Sequence, residues 1–245
     1  MSTFTDQSIS PLILALDTTS LERAEELIEA TKDSVDVYKI GNEAFSALGP
    51  AIVQVIHKKG KEVFLDLKFH DIPNTVASAV RAAATTLGVY LLNLHIAGGR
   101  AMMEAAVNEL NRLEKENKIR RPRLIGVTVL TSLESPDLKD IGFAETDIQK
   151  TVLRLAKLAD TSGLDGVVAS PQEIKMIREH LGRDFLIVTP GIRPSGAQTG
   201  DQKRTMSAAQ ALQYGADFIV VGRPITTAPD PGAVARLMLK EARQR

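Results

Sequence analysis

The 245-residue chain contains no cysteine and no tryptophan. The first absence removes disulfides, thiolate zinc centres, iron–sulfur clusters and cysteine nucleophiles together. Only seven Phe and three Tyr supply aromatic surface, too little for a platform on which nucleic-acid bases stack. Neither charge is in excess, since 30 Lys plus Arg balance 30 Asp plus Glu. A nucleic-acid binder needs a cationic surplus to displace counterions. Apolar runs stop at about five residues, far short of the ~20 needed to cross a membrane, and the first ten residues hold no apolar signal core. These absences lead to the expectation of a soluble, cytoplasmic protein that binds neither nucleic acid nor membrane.

What is present is alternation. Eight short runs rich in Val, Ile and Leu read as strands: Leu12–Asp17, Val35–Gly41, Glu62–Phe69, Leu91–His95, Arg123–Leu130, Gly166–Ser170, Phe185–Thr189 and Ala216–Gly222. Several are apolar on both faces, as expected of parallel strands covered on both sides. Each precedes a stretch of helical spacing. Thr19 with Glu22 reads as a capping box, and further helices begin near Pro50, Pro73, Gly99, Asp147, Pro171, Gln202 and Pro231. Eight strand–helix units predict an α/β fold, a (β/α)8 TIM barrel forming a single domain over 1–245, with 1–10 a flexible N-terminal segment. A doubly wound sheet is the alternative, but no Gly-x-Gly-x-x-Gly follows the first strand. Two connections, 131–145 and 190–201, are long, and long strand-to-helix loops in such a barrel are functional. The basic stretch from Lys115 to Arg123 reads as a solvated helix end at the opposite face.

Ionised groups do not belong on core strands unless paired or used, because burying a lone charge costs several kcal/mol. Asp17, Lys39, Asp66 and Lys68 nevertheless stand at the C-terminal ends of the first three strands, the catalytic rim of a barrel. The i, i+2 spacing turns Asp66 and Lys68 to one side, about 6–7 Å apart on a regular strand, and Asp71 follows. Lysines interleaved with carboxylates keep both charged, which suits loss of a carboxylate followed by protonation. It also suits magnesium if the lysines point elsewhere. The ends of the last two strands, Thr189-Pro190-Gly191-Ile192-Arg193 and Val221-Gly222-Arg223-Pro224, form a phosphate-site pattern. His57 and His180 read as exposed helix-end residues. His95 faces the mouth, as a structural group or a substrate contact, and His70 adjoins the charged cluster. No His-Glu-x-x-His, Walker A or Gly-x-Ser-x-Gly pattern occurs, which counts against zinc proteases, P-loop NTPases and α/β-hydrolases.

Through these residues the chain resembles the bacterial orotidine 5′-phosphate decarboxylase family. The resemblance runs from Leu12-Ile13-Leu14-Ala15-Leu16-Asp17 to Val221-Gly222-Arg223-Pro224-Ile225. It is strongest at Phe64-Leu65-Asp66-Leu67-Lys68-Phe69-His70-Asp71-Ile72-Pro73-Asn74-Thr75, joined by Val127-Thr128-Val129-Leu130-Thr131-Ser132 and the Thr189–Arg193 segment. It implies decarboxylation of orotidine 5′-monophosphate to uridine 5′-monophosphate, the last step of de novo pyrimidine synthesis, with no cofactor and no metal. Lys68 would protonate C6, Asp66 would lie against the scissile carboxylate, and Lys39 would orient the array and touch ribose. Asp71 would reach into a partner's site, making the protein a homodimer with shared active sites. Asp17, and Thr75 from the partner, would contact ribose, while Thr131 and Ser132 would meet the pyrimidine edge. Pro190, Arg193, Gln202, Gly222 and Arg223 would hold the phosphate end, Gln202 also bridging toward the base. A magnesium-dependent decarboxylase or aldolase acting on a keto-sugar phosphate and sharing Asp-x-Lys-x-x-Asp is the nearest rival, a barrel isomerase on a phosphoribosyl compound is more distant, and a non-catalytic ligand-binding or scaffold barrel is a different class.

Overall fold

A computed structural model describes residues 9–193 and 206–243. Eight parallel strands close on themselves in chain order: β1 (Leu12–Ala15), β2 (Val37–Gly41), β3 (Glu62–Phe69), β4 (Leu91–His95), β5 (Arg123–Val127), β6 (Gly166–Val168), β7 (Leu186–Thr189) and β8 (Phe218–Val221). The helices outside are α1 (Leu21–Thr31), α2 (Asn42–Leu48), α3 (Pro50–Lys58), α4 (Pro73–Ala82), α5 (Arg100–Lys115), α6 (Ser135–Asp140), α7 (Ile148–Thr161), α8 (Ile174–Leu181), α9 (Ala208–Tyr214), α10 (Arg223–Thr226) and α11 (Pro231–Arg243). This is the (β/α)8 barrel that the alternation predicted.

Strand periodicity sorts the core into two shells. Ile13, Ala15, Val37, Phe64, Leu91, Ile125, Val188, Phe218 and Val220 fill the barrel. Their neighbours one residue along, such as Leu12, Leu14, Tyr38, Leu65 and Leu92, pack outward on the helices. The same alternation carries inward positions up to the rim, where polar groups replace apolar ones.

The bottom of the barrel is tied by a recurring device. Asp36, Asp165 and Asp217 each stand immediately before an even-numbered strand. Asp36 accepts the Ser10 N–H at 2.9 Å and pairs with Lys61 at 3.0 Å. Asp165 accepts the Leu124 N–H at 2.7 Å and takes both its oxygens to Arg121. Asp217 accepts the Ile187 N–H at 2.7 Å and pairs with Arg178 at 2.7 Å. One carboxylate thus joins two adjacent strands and neutralises a cation.

Several local expectations are corrected. The α1 cap is Ser20, not Thr19: Ser20 Oγ accepts the Arg23 N–H at 3.1 Å and donates to Glu22 at 2.6 Å. The fifth strand ends at Val127 rather than Leu130, and the connection after it carries α6. An unforeseen helix, α2, precedes Pro50, the two being separated by Gly49 at φ 56°. The helix expected near Gln202 is α9, starting at Ala208; Gln202 itself lies outside the described residues, as do 1–8 of the N-terminal segment. Within the basic stretch Arg121 is largely buried against Asp165, so it is a structural tie and not a solvated end.

Candidate active site

A cleft of about 560 Å³ opens at the C-terminal end of the strands. Its floor is the top layer of the barrel interior, Ala15, Phe64, Val188 and Val220. Asp17, Lys39, Asp66, Lys68, Thr131, Pro190, Arg193, Gly222 and Arg223 all line it. The cleft thus joins a group of acids and lysines to the glycines and arginines that follow β7 and β8.

The charges form a chain. Lys68 Nζ lies 2.7 Å from Asp66 Oδ1, Lys39 Nζ 3.3 Å from Asp66 Oδ2, and Lys39 Nζ 3.5 Å from Asp17 Oδ1. Both oxygens of Asp66 are thus held by ammonium groups, and its side chain is only 13% exposed. Gly41 lets Lys39 fold into this position, because a Cβ there would stand 3.0 Å from Lys39 Nζ. Asp66 and Lys68 meet where β3 is irregular. Lys68 has φ 52°, and β3 bulges at this point, its register against β4 shifting between Leu65 and Phe69. The ammonium meets the carboxylate within this bulge. The left-handed conformation costs a non-glycine residue about 1–2 kcal/mol, so the rest of the site must hold it.

Asp71, Ile72 and Thr75 are exposed and do not line the cleft. Asp71 accepts the N–H of Ile72 at 2.6 Å, and among the described residues it makes no ion pair within its own chain. Ile72 beside it is 67% exposed. Thr75 and Asp71 border a separate depression that also touches Lys68 and His70. Ser132 is exposed next to the cleft-lining Thr131. His95 points to the rim with its ring 5.5 Å from that of His70. Burial, then His70 and Lys68, hold His95 below the ordinary histidine pKa, with Asp66 opposing, so the ring is neutral at pH 7. His57 and His180 are exposed, as expected.

Among the glycines and arginines, Gly191 takes φ 80°, a conformation natural to glycine. It allows the chain after β7 to turn so that Arg193 borders the cleft. Gly222 and Arg223 open α10 directly above Asp17 and Ala15. Guanidinium groups beside accessible backbone N–H are what a phosphate requires. Two contributors escaped the sequence reading. Asn93, fully buried on β4, contacts both Asp66 and Lys68, and Val127, Val129 and Leu130 supply an apolar wall. The first was legible in principle as the one amide in the apolar strand Leu91-Leu92-Asn93-Leu94.

Fold and site together define a (β/α)8 barrel with a cluster of acids and lysines in the cleft at the C-terminal ends of its strands. The model of the Orotidine 5′-phosphate decarboxylase / HUMPS family matches residues 10–238, and the chain belongs to that family. Among its relatives, the orotidine 5′-phosphate decarboxylase of Geobacter metallireducens is 51% identical over 96% of this chain and 97% of its own length. That of Vibrio cholerae is 51% identical over 91% and 94%. The crystal structure of the Lactobacillus acidophilus orotidine 5′-phosphate decarboxylase superposes with a TM-score of 0.83 at 37% identity, covering 96% of this chain and 99% of the other.

Proposed function

We propose that this protein decarboxylates orotidine 5′-monophosphate to uridine 5′-monophosphate and carbon dioxide without metal or cofactor, as a carboxy-lyase of pyrimidine synthesis. The observation that carries the reading is the Lys39–Asp66–Lys68 chain in a cleft that is also lined by Gly222, Arg223 and Arg193. The phosphate binds at the glycine–arginine end, with Pro190 and Gln202 completing that side. The ribose meets Asp17 and Lys39, and the base meets Thr131 and Ser132. This orientation sets the C6 carboxylate against Asp66 and Lys68.

The bond between C6 and the carboxylate breaks, its electron pair remaining on C6 as carbon dioxide departs. That pair takes a proton from the Lys68 ammonium, and the lysine is reprotonated from water. Repulsion between Asp66 and the substrate carboxylate at about 4 Å is worth roughly 4 kcal/mol at an effective dielectric of 20, or about three decades of rate. The attraction between the ammonium and the developing carbanion grows along the reaction coordinate, so it contributes to the chemical step itself. A magnesium-dependent mechanism is disfavoured by the donor set. Lys68 and Asn93 occupy one oxygen of Asp66 and Lys39 the other, leaving little room for a hard cation that prefers near-ideal oxygen geometry.

Asp71 and Thr75 serve the site of a second copy, so the enzyme acts as a homodimer with shared sites. Support comes from their exposure outside the cleft and from the exposed Ile72 between them. A decisive assay mixes purified protein with orotidine 5′-monophosphate in EDTA and follows the substrate's absorbance. Turnover to uridine 5′-monophosphate is expected with no addition. Absence of turnover, or turnover that requires magnesium, would overturn the reading.

A further inference from the structure

The bulge in β3 raises a question of support. Between the pairs Leu65–Leu92 and Phe69–Leu94, β3 advances four residues while β4 advances two. The intervening segment loses its regular ladder where Lys68 takes its left-handed conformation. A buried N–H without a partner costs about 1–3 kcal/mol, and the conformation adds its own strain.

One side chain answers both problems. Asn93 is the inward residue of β4 above Leu91, and it is completely buried. Its Oδ1 accepts the backbone N–H of Lys68 at 2.8 Å. Its Nδ2 donates to Asp66 Oδ1 at 2.6 Å, the same oxygen that receives Lys68 Nζ at 2.7 Å. The amide orientation follows from its partners, because only its oxygen can accept an N–H and only its nitrogen can donate to a carboxylate. The contacts close a ring running from the Lys68 backbone through Asn93 and Asp66 to the Lys68 ammonium.

We infer that Asn93 is a positioning residue for the reaction: it substitutes for the missing strand partner at Lys68 and fixes the Asp66 carboxylate against the Lys68 ammonium. The inference rests on the reading of Lys68 as the proton donor. An amide suits the place because it accepts and donates at once. Ala or Leu does neither. An ionised Asp accepts from the Lys68 N–H but presents a second negative charge to Asp66. A protonated Asp restores both contacts, its carbonyl accepting and its O–H donating. The groups facing this point are Asp66 and Lys68 on β3, Lys39 behind Asp66 on β2, and His95 on β4 itself. On β5, the residue paired with Asn93 is the apolar Ile125.

The test uses Asn93→Asp, nearly isosteric, with Asn93→Ala and Lys68→Ala beside it. For Asn93→Asp we expect kcat to fall about 30-fold or more at pH 8, with KM and the affinity for uridine 5′-monophosphate changed less than about threefold. Such a split marks an interaction used in the chemical step rather than in binding. The deficit relative to the unsubstituted enzyme should shrink at least about fivefold on going to pH 5.5, as the new carboxyl, its pKa raised by Asp66, takes a proton. Asn93→Ala, which has no such proton, should show a loss in kcat without that recovery. A deficit in Asn93→Asp that is absent, confined to KM, or unchanged with pH would overturn the inference, as would failure of this variant to fold at pH 5.5. Lys68→Ala separates the two ideas. If it retains turnover, the proton-donor reading fails; if it is inactive while Asn93→Asp behaves as the unsubstituted enzyme, only the positioning role fails.

Discussion

The proposal that two copies share their active sites makes a quantitative prediction about mixed dimers. Lys68 stands in the cleft of its own chain, paired with Asp66, whereas Asp71 is exposed and does not line that cleft. In a dimer of one Lys68→Ala chain and one Asp71→Ala chain, both lesions fall in a single site. The other site receives Lys68 from the second chain and Asp71 from the first, and is intact. Each homodimer carries one lesion in both sites. Removing a charge that acts at about 4 Å costs roughly 4 kcal/mol, so each homodimer should retain about one part in a thousand of the activity. Heterodimers isolated through two different affinity tags should show about half the activity of the unsubstituted dimer, and a statistical mixture about a quarter. That lies more than about 200-fold above the homodimers. Steady-state decarboxylation of the doubly purified species provides the measurement. Activity no higher than that of the homodimers would show that Asp71 serves its own chain, or no site at all.

Three further outcomes follow from particular groups. Arg223→Ala should raise KM for the nucleotide by about 10- to 100-fold, the worth of a charge-assisted phosphate contact, with a smaller fall in kcat; unchanged kinetics would misplace the phosphate end. Asp217→Ala removes the acceptor of both Arg178 and the Ile187 N–H at the barrel bottom. It should cost about 3 kcal/mol in urea unfolding and leave kcat intact, because it leaves a largely buried guanidinium without its counter-ion. The depressed pKa of His95 means that the unfolded chain binds more protons than the folded one as pH falls below about 6.5. Stability should therefore drop on that descent and drop less in His95→Gln, as read from urea midpoints at pH 7.5 and 5.5.

Eight alternating apolar runs and helix starts, with no Gly-x-Gly-x-x-Gly after the first strand, were enough to expect the barrel over a doubly wound sheet. Strand ends were less legible: Val129 and Leu130 are as apolar as the strand before them, yet the ladder of β5 stops at Val127. Apolarity there serves the cleft wall rather than the sheet. The charged rim was visible because acids and lysines interrupt otherwise apolar strands. The bulge at Lys68 was not, because nothing in the local sequence marks a non-glycine residue for φ 52°. Asn93 passed unnoticed for a related reason: an uncharged amide in a strand draws little attention until its two partners are known. The carboxylates before β2, β6 and β8 drew no attention in the sequence, because their cationic partners come from distant or separate segments.

The most direct test of the account is the turnover of orotidine 5′-monophosphate by Lys68→Ala, followed in EDTA beside the unsubstituted enzyme and a folded control spectrum. Loss of the ammonium that meets the developing carbanion should lower kcat by at least about a thousandfold while the variant still binds uridine 5′-monophosphate. A folded Lys68→Ala enzyme turning over within about tenfold of the original would contradict it.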